Sequence, residues 1–518
     1  MRSSVTLLTL FLSFNLAAAQ DDVGVVAFAN SGAPGAQEPF LRGLALLHNF
    51  EYPTAAKAFR KAQQIDPSFA MAYWGEAMTH THPIWFQQDA AAARAVLQRL
   101  GATSAERLAK AGTERERDYL RALDVLYGEG SKNDRDFQYA EAMGALHARY
   151  PDDVDATAFY AVAILGTAHE GRDFATYMRA AALLEEVFPA NRRHPGVLHY
   201  LIHSYDDPAH APLGMRAARL YGGVAPNAGH ALHMTSHIFI AMGMWDDVID
   251  ANRRAIDVVN RERAAASKPT VACGHYPQWL HYGYLQQKRH DDARQSLDAC
   301  RASAFAEKFV AGGEMDTPKN RLLGYAEIVA DHVAAGNALT AADALTIPKD
   351  IKAPGAQFTL AYADALAAAQ RGDAAAVNAA VMRLHGVEKD LQAEYAERNS
   401  SNPAWRIRAA VMAQQADALQ LIAAGKRAEA IPILEAAAKT ESTIPLEFGP
   451  PIVPKPAAEL LAEQLLAAGR AGEAEAAFRS VLERAPGRTL AVSGLLLAQK
   501  AATPAPREEK APAATHVH

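Results

Sequence analysis

Histidine is concentrated in one short stretch of the chain. Seven of the 19 histidines lie within residues 194–237. Five of these recur at spacings of three or four residues, first as His199 and His203 and then as His230, His233 and His237. Residues three and four apart stand on one face of a helix, and imidazole nitrogens are common ligands of zinc and copper. The stretch therefore predicts two helices that each present a histidine pair.

The helices that would carry these histidines follow from a repeat of 34 residues. Counted from Ala36, small residues, an aromatic and a proline occupy repeat positions 8, 20, 24, 27 and 32, namely Gly43, Ala55, Phe59, Ala62 and Pro67. Near the C-terminus the same phase returns with Ala462, Ala474, Phe478 and Pro486. The pattern resembles the tetratricopeptide repeat (TPR), a pair of antiparallel helices. The resemblance implies an all-α, TPR-like α-solenoid, a right-handed superhelix of about nine or ten helical hairpins.

This frame also predicts how the chain is divided. We expect a TPR-like solenoid with a histidine-rich groove over residues 36–310 and further TPR-like hairpins over residues 320–500. Residues 87–117 do not fit the repeat and are predicted to be irregular. The tail, residues 503–518, is rich in Pro, Ala and charge and is predicted to be disordered.

The repeat places the histidines in register. Units that start at Pro195 and Gly229 both carry histidine at positions 5 and 9, namely His199, His203, His233 and His237. By resemblance to the repeat family, these positions line the concave groove. Neighbouring helices pack about 8–10 Å apart, so the four imidazoles are predicted to converge on a transition metal, with zinc or copper as the first candidates. Candidates for a further ligand, or for a group that orients an imidazole, are His230, His275, Asp206 and Asp207.

A second set of residues is predicted to line the groove away from this site. The set combines histidine with aromatic side chains: His48, Trp74, His82 and Tyr282. A wall of this kind suits a protein or peptide partner. A metal-free peptide-binding adaptor is therefore an alternative to the metal site.

The N-terminus predicts export. Residues 1–19 contain Arg2, an apolar run from Val5 to Phe14 and a small-residue end at Ala17–Ala19, the pattern of a secretory signal peptide. A periplasmic or extracellular location follows, and no other stretch predicts a membrane span. Two cysteines, Cys273 and Cys300, are compatible with a disulfide or with two buried thiols. A net charge of −6 gives no indication of nucleic-acid binding.

Three short motifs resemble those of a family of exported bacterial TPR proteins. They are the H-M-x-S-H-I-F run at His233–Phe239, the Gly243-Met244-Trp245 turn and the segment Phe448-Gly449-Pro450-Pro451. The resemblance covers most of the chain after the signal peptide. It implies the fold and the exported location, and little about chemistry.

The sequence contains no P-loop, nucleophile elbow, dinucleotide fingerprint or HExxH motif. Their absence favours a scaffold over an enzyme without deciding the question. The first hypothesis is an exported TPR solenoid scaffold whose groove carries a histidine-rich site for a transition metal or small ligand. The alternative is a hydrolytic or redox metalloenzyme built on the same histidines.

Overall fold

The computed structural model of the protein describes residues 22–306, 317–340, 343, 347, 351–397 and 402–502. The predicted signal peptide (residues 1–19) and the predicted tail (503–518) lie outside the described residues. The chain forms two compact units. Unit 1 contains the described residues up to Asp206 together with Pro212–Ile238 and Arg253–Arg261, and unit 2 contains Asp207–Ala211, Phe239–Asn252 and the described residues from Glu262 onwards.

The described residues are almost entirely helical, as the repeat predicts. The first thirteen helices are α1 (Gln37–His48), α2 (Tyr52–Ile65), α3 (Ala70–Met78), α4 (Ala90–Leu100), α5 (Ser104–Lys110), α6 (Glu114–Leu126), α7 (Lys132–Arg149), α8 (Val154–Leu165), α9 (Phe174–Val187), α10 (Pro195–Tyr205), α11 (Ala211–Val224), α12 (Gly229–Ala241) and α13 (Trp245–Ala265). Short 3-10 helices cover Pro34–Ala36 and Pro83–Trp85, and strands β1 (Thr81–His82) and β2 (Gln87–Gln88) pair antiparallel.

Ten further helices belong to unit 2. They are α14 (His275–Gln286), α15 (His290–Ala304), α16 (Pro318–Ala334), α17 (Pro354–Gln370), α18 (Ala374–Glu397), α19 (Ala404–Ala423), α20 (Arg427–Glu441), α21 (Ala457–Ala467), α22 (Ala471–Arg484) and α23 (Thr489–Ala502). Consecutive helices pack against one another along this unit. Cys273 and Cys300 form a disulfide that joins the start of α14 to the end of α15, which settles the alternatives that the sequence leaves open.

The packing of α1, α2 and α3 shows how the repeat residues build a hairpin. The ring of Phe59 on α2 is fully buried. A Cβ added to Gly43 on α1 would lie 2.9 Å from this ring, and one added to Gly75 on α3 would lie 2.3 Å from it. Small residues on two helices therefore make room for one aromatic, as the repeat predicts. Phe478 meets Gly494 in the same way in unit 2.

The prediction of an irregular stretch over residues 87–117 is wrong. This stretch contains α4, α5 and the start of α6. The helices α5 and α6 each begin with a capping box, Thr103 with Glu106 and Thr113 with Glu116, and such a box stabilises a short helix without any 34-residue period. The part of the chain that the structure describes contains 23 α-helices, more than the 18 to 20 that nine or ten hairpins need.

The helices α10 and α12 begin where the repeat frame places them, at Pro195 and Gly229. Pro195 suits the first turn of a helix, where its missing N–H is not needed, and the His194 ring accepts a hydrogen bond from the backbone N–H of Val197. In unit 1, α10 packs against α1, α8 and α9. A Cβ on Gly196 would lie 2.3 Å from Nδ1 of His48, so only glycine allows α1 and α10 to approach so closely.

No helix within the described ranges is long and apolar enough to cross a lipid bilayer.

Candidate metal centre

Five buried imidazoles of unit 1 form a closed circle, which we call the histidine cluster. It consists of His199 and His203 on α10 and of His230, His233 and His237 on α12. The ring centroids are 4.9 Å apart for His199 and His203, 5.4 Å for His203 and His237, 5.0 Å for His237 and His233, 6.1 Å for His233 and His230, and 5.0 Å for His230 and His199. Each side chain is at most 6% exposed. The two helices therefore present their histidines to each other, away from solvent.

Hydrogen bonds fix the orientation of His199. Its Nδ1 lies 2.6 Å from the backbone carbonyl oxygen of His48. Because a carbonyl oxygen only accepts, Nδ1 carries the proton and Nε2 carries the lone pair. This Nε2 is buried and has no hydrogen-bond partner among the described residues. A buried nitrogen in this state is rare in folded proteins, and it is the state in which imidazole binds a metal ion.

Asp206, at the end of α10, orients two further imidazoles. Its Oδ2 accepts from Nδ1 of His203 at 3.2 Å and from Nδ1 of His237 at 2.9 Å. In a neutral imidazole that donates its Nδ1–H to a carboxylate, Nε2 carries the lone pair. Metal-binding histidines are commonly held by a carboxylate or carbonyl in this way. The sequence leaves two roles open for Asp206, a further ligand or an orienting group, and these hydrogen bonds are those of an orienting group.

Ring nitrogens of different histidines in the cluster lie close to one another. One ring nitrogen from each of His199, His203 and His230 lies within 4.8 Å of those of the other two. The Nε2 atoms of His233 and His237 are 3.1 Å apart. Two nitrogens that bind one tetrahedral zinc ion at about 2.0–2.1 Å are about 3.3–3.4 Å apart. The spacing of the His233–His237 pair is close to this value.

The charges around the cluster favour neutral imidazoles beside an ionised carboxylate. Burial alone would raise the pKa of Asp206, but the guanidinium of Arg172 and the two histidine hydrogen bonds hold that pKa well below its usual range. Burial lowers the pKa of His237 to about 4, although the hydrogen bond to Asp206 acts in the opposite direction. Burial, followed by the neighbouring imidazoles, lowers the pKa of His199 well below its usual value. Both rings are therefore neutral near pH 7, as a metal ligand must be.

A second buried network supports the residue that holds His199. Asp155 Oδ1 lies 2.9 Å from Nε2 of His48 and 3.2 Å from Nε2 of His194. The hydroxyl of Tyr200 lies 3.1 Å from Nδ1 of His48. The side chain of His48 thus has a partner at each ring nitrogen, while its backbone carbonyl accepts from His199.

The structure brings together all four histidines of the predicted site, and it adds His230 to them. It buries these side chains, whereas the repeat frame places them on an open groove wall. Asp207 caps the turn that follows α10. Its Oδ1 accepts from the backbone N–H groups of Ala209 and His210. His275 is the exposed first residue of α14 in unit 2, and its ring lies 5.2 Å from that of Trp279.

Of the four residues predicted to line the groove, three are buried and one is half-buried. His48, Trp74 and Tyr282 are buried, and His82 lies half-buried in strand β1 with its ring stacked 4.1 Å from Tyr52. In unit 2, the Tyr282 hydroxyl lies 3.1 Å from Arg488 Nη1.

The burial of Trp74 has a specific cause. The extended segment before α1, residues 22–33, carries Phe28 against Trp74 at 6.2 Å between ring centroids. Tyr119 and Phe159 also contact Trp74, each at 5.3 Å. The repeat frame contains no such covering segment, and so it predicts a groove where the structure has core.

Two residues of the site have no signal in the sequence. Arg172 forms a buried ion pair with Asp206 from a loop before α9. Phe50, just after α1, packs its ring 4.3 Å from that of His199. Neither residue belongs to a motif or matches a repeat position.

These observations define the class of the chain: an all-α, TPR-like helical-repeat protein with a buried histidine cluster. No protein-family model and no curated protein matches the sequence.

Among solved structures, the APC/C hetero-tetramer Cut9-Hcn1 is similar at a TM-score of 0.33 and 11% identity, over 91% of this chain and 78% of that chain. Yeast Tom70 is similar at a TM-score of 0.32 and 12% identity, over 90% of this chain and 95% of that chain. The TPR domain of P58(IPK) is similar at a TM-score of 0.21 and 12% identity, over 90% of this chain and 98% of that chain. Similarities this weak carry no functional information, and the fold class rests on the helical pairs of the chain itself.

Proposed function

We propose that this protein is a helical-repeat scaffold that holds a transition-metal ion in the histidine cluster. One observation carries the proposal: Nδ1 of His199, His203 and His237 each lies at hydrogen-bonding distance from a fixed acceptor, and the neutral rings of His199 and His237 keep an unprotonated Nε2 inside the cluster. This arrangement matches the way proteins prepare imidazole for a metal ion.

The ligand set limits which ion suits the site. Neutral imidazoles bind zinc, copper and nickel well, whereas calcium and magnesium prefer oxygen ligands. Asp206 is engaged by Arg172 and two histidines and is thus better suited to orienting ligands than to binding the ion. Zinc and copper remain the first candidates.

Burial favours an ion over a peptide as the occupant. The five imidazoles are at most 6% exposed, so a peptide would reach them only after the helices separate. A metal ion occupies far less space than a peptide. A metalloenzyme is the second candidate, and it requires a coordination position that exchanges with solvent or substrate.

Export is part of the proposal. The signal-peptide pattern of residues 1–19 directs the chain out of the cytoplasm, and the Cys273–Cys300 disulfide suits an oxidising compartment. Expression of the full chain in a bacterial host, followed by N-terminal sequencing of the periplasmic fraction, tests this. A protein that stays cytoplasmic and begins at Met1 would contradict it.

The metal proposal is tested by elemental analysis of purified protein that has been stripped with a chelator and reloaded with zinc or copper. We expect a stoichiometric ion that is lost when His199 and His203 are both replaced by alanine. The matched control is His332→Ala, which removes a buried histidine of unit 2. Absence of stoichiometric metal, or a double variant that binds as well as the parent, would overturn the proposal.

The enzyme alternative is tested on cobalt-loaded protein. Azide that alters the visible cobalt spectrum indicates an exchangeable position. A spectrum that azide leaves unchanged indicates a closed site and a scaffold role.

A further inference from the structure

An apolar pocket lies beside the histidine cluster in unit 1. Its walls come from α1, α3, α6 and α8 and include Leu47, Met78, Leu126, Phe159, Val162 and Ala163. Small-molecule sites are typically lined in this way, by apolar and aromatic side chains.

Phe50 forms the wall between the pocket and the cluster. Its side chain lines the pocket, and its ring centroid lies 4.3 Å from that of His199 and 5.6 Å from that of His230. A molecule in the pocket would therefore be one side chain away from two imidazoles of the cluster.

The backbone of Phe50 is in an unusual conformation. Its φ is +57°, in the left-handed region, at the position where α1 ends. The N–H of Glu51 donates to the carbonyl of Leu46, and the N–H of Phe50 donates to that of Leu47, the pattern of a helix end at which glycine is usual. A large aromatic is disfavoured here, and backbone strain of this kind concentrates at binding and active sites.

One polar group in the pocket wall lacks a partner. Tyr52 lines the pocket, and its hydroxyl is buried without a hydrogen-bond partner among the described residues. Buried hydroxyl groups are almost always paired. The unsatisfied hydroxyl therefore points to a ligand atom that accepts a hydrogen bond.

The pocket wall does not call for a charged ligand. Asp136 also lines the pocket, but its Oδ2 is already 2.5 Å from Nζ of Lys132 and 2.9 Å from Nε2 of His169. A cation in the pocket would compete with these groups, and an anion would be repelled by the carboxylate.

We propose that this pocket binds a small, uncharged, largely apolar molecule with one hydrogen-bond acceptor, such as a carbonyl oxygen, that takes the proton of the Tyr52 hydroxyl. This function goes beyond the metal site, and the geometry that supports it does not require a metal. The bound molecule would contact the face of Phe50 opposite the cluster.

The test compares two probes of similar shape on metal-free protein. Acetophenone carries a carbonyl acceptor, and isopropylbenzene does not. We expect calorimetric titration to show that the parent binds acetophenone more tightly than isopropylbenzene. Tyr52→Phe is expected to weaken acetophenone binding about three- to tenfold, the worth of one hydrogen bond, and to leave isopropylbenzene binding unchanged.

Two further variants locate the binding. Tyr150→Phe is the matched control, because the Tyr150 hydroxyl donates to Asp118 away from the pocket lining, and it should bind both probes as the parent does. Ala163→Phe fills the pocket and should abolish binding of both. Circular dichroism and thermal unfolding check that each variant is folded, and Tyr52→Phe is expected to fold normally because it removes an unpaired hydroxyl.

The proposal is overturned if the parent binds neither probe, if it binds both equally, or if Tyr52→Phe has no effect on acetophenone. Retention of binding by folded Ala163→Phe would place the probes elsewhere and overturn it as well. Because the titrations use metal-free protein, a failure of the metal proposal would leave these results interpretable.

Discussion

Replacing Asp206 with asparagine should weaken metal binding without touching any proposed ligand atom. The substitution keeps the shape of the side chain but removes its charge. His203 and His237 then lose the anionic acceptor that fixes their Nδ1 protons. Loss of such a supporting group typically lowers metal affinity 10- to 100-fold, or about 1.4–2.8 kcal/mol.

The same substitution should lower stability. Asp206 and Arg172 form an ion pair in which the side chains are 0% and 2% exposed. Removing one partner of a buried pair typically costs about 3–5 kcal/mol, because the other charge stays buried. Solvent screening does not reduce this figure at such low exposure.

The matched control is Glu459→Gln. Glu459 is also a buried carboxylate that pairs with an arginine, Arg488, with side chains 0% and 3% exposed, but the pair lies in unit 2 and holds no imidazole of the cluster. We expect urea unfolding to show a loss of stability in both variants. Competition with a coloured zinc chelator should show weakened zinc binding in Asp206→Asn only. Folded Asp206→Asn with parental affinity, or an equal loss in both variants, would refute the reasoning.

Three further predictions concern the scaffold. Gly75→Ala should destabilise the protein by about 1–3 kcal/mol, because its Cβ would lie 2.3 Å from the Phe59 ring; Gly472→Ala, which meets nothing within 4 Å, should be nearly neutral in urea unfolding. Reduction of the disulfide, which links residues 27 apart, should cost about 3–4 kcal/mol in urea unfolding with and without reductant. Asp331 has a pKa raised from 3.8 to about 7, first by burial and then by the charge of Glu327. The folded state therefore holds a proton that the unfolded state releases between about pH 4 and 7, so stability falls as the pH rises through this window. The free energy of unfolding of Asp331→Asn, measured relative to the parent, should therefore be higher at pH 8 than at pH 5. An equal difference between variant and parent at both pH values would contradict this.

The local features of the site could be predicted from the sequence. Proline at position 195 and the 34-residue phase set the starts of α10 and α12. Once both segments are helical, spacings of three and four residues place their histidines on one face. Asp206 follows His203 by three residues, and so it lies within reach at the end of the same helix.

The partners from distant parts of the chain could not be predicted. The carbonyl that holds His199 belongs to His48, 151 residues earlier, and the guanidinium beside Asp206 comes from Arg172, 34 residues earlier. The 34-residue repeat predicts the position of a residue within its own helical hairpin, but it does not predict which other segment of the chain packs over that residue. For the same reason it predicts an open groove at Trp74, where the N-terminal segment instead supplies Phe28.

Burying the polar side chains of the histidine cluster costs free energy of folding, and this cost is itself an argument for function. The hairpin of α1 and α2 is packed with Gly43, Ala55 and Phe59, side chains that need no hydrogen bond. On α10 and α12 the chain instead buries imidazoles, each of which has ring nitrogens that must be satisfied. It also buries the Asp206–Arg172 pair, and such pairs are often no more stabilising than apolar residues of similar volume. Packing alone therefore does not account for these residues. Departures of this kind from what packing requires are expected at functional sites, and a bound metal ion would satisfy Nε2 of His199, which has no hydrogen-bond partner among the described residues.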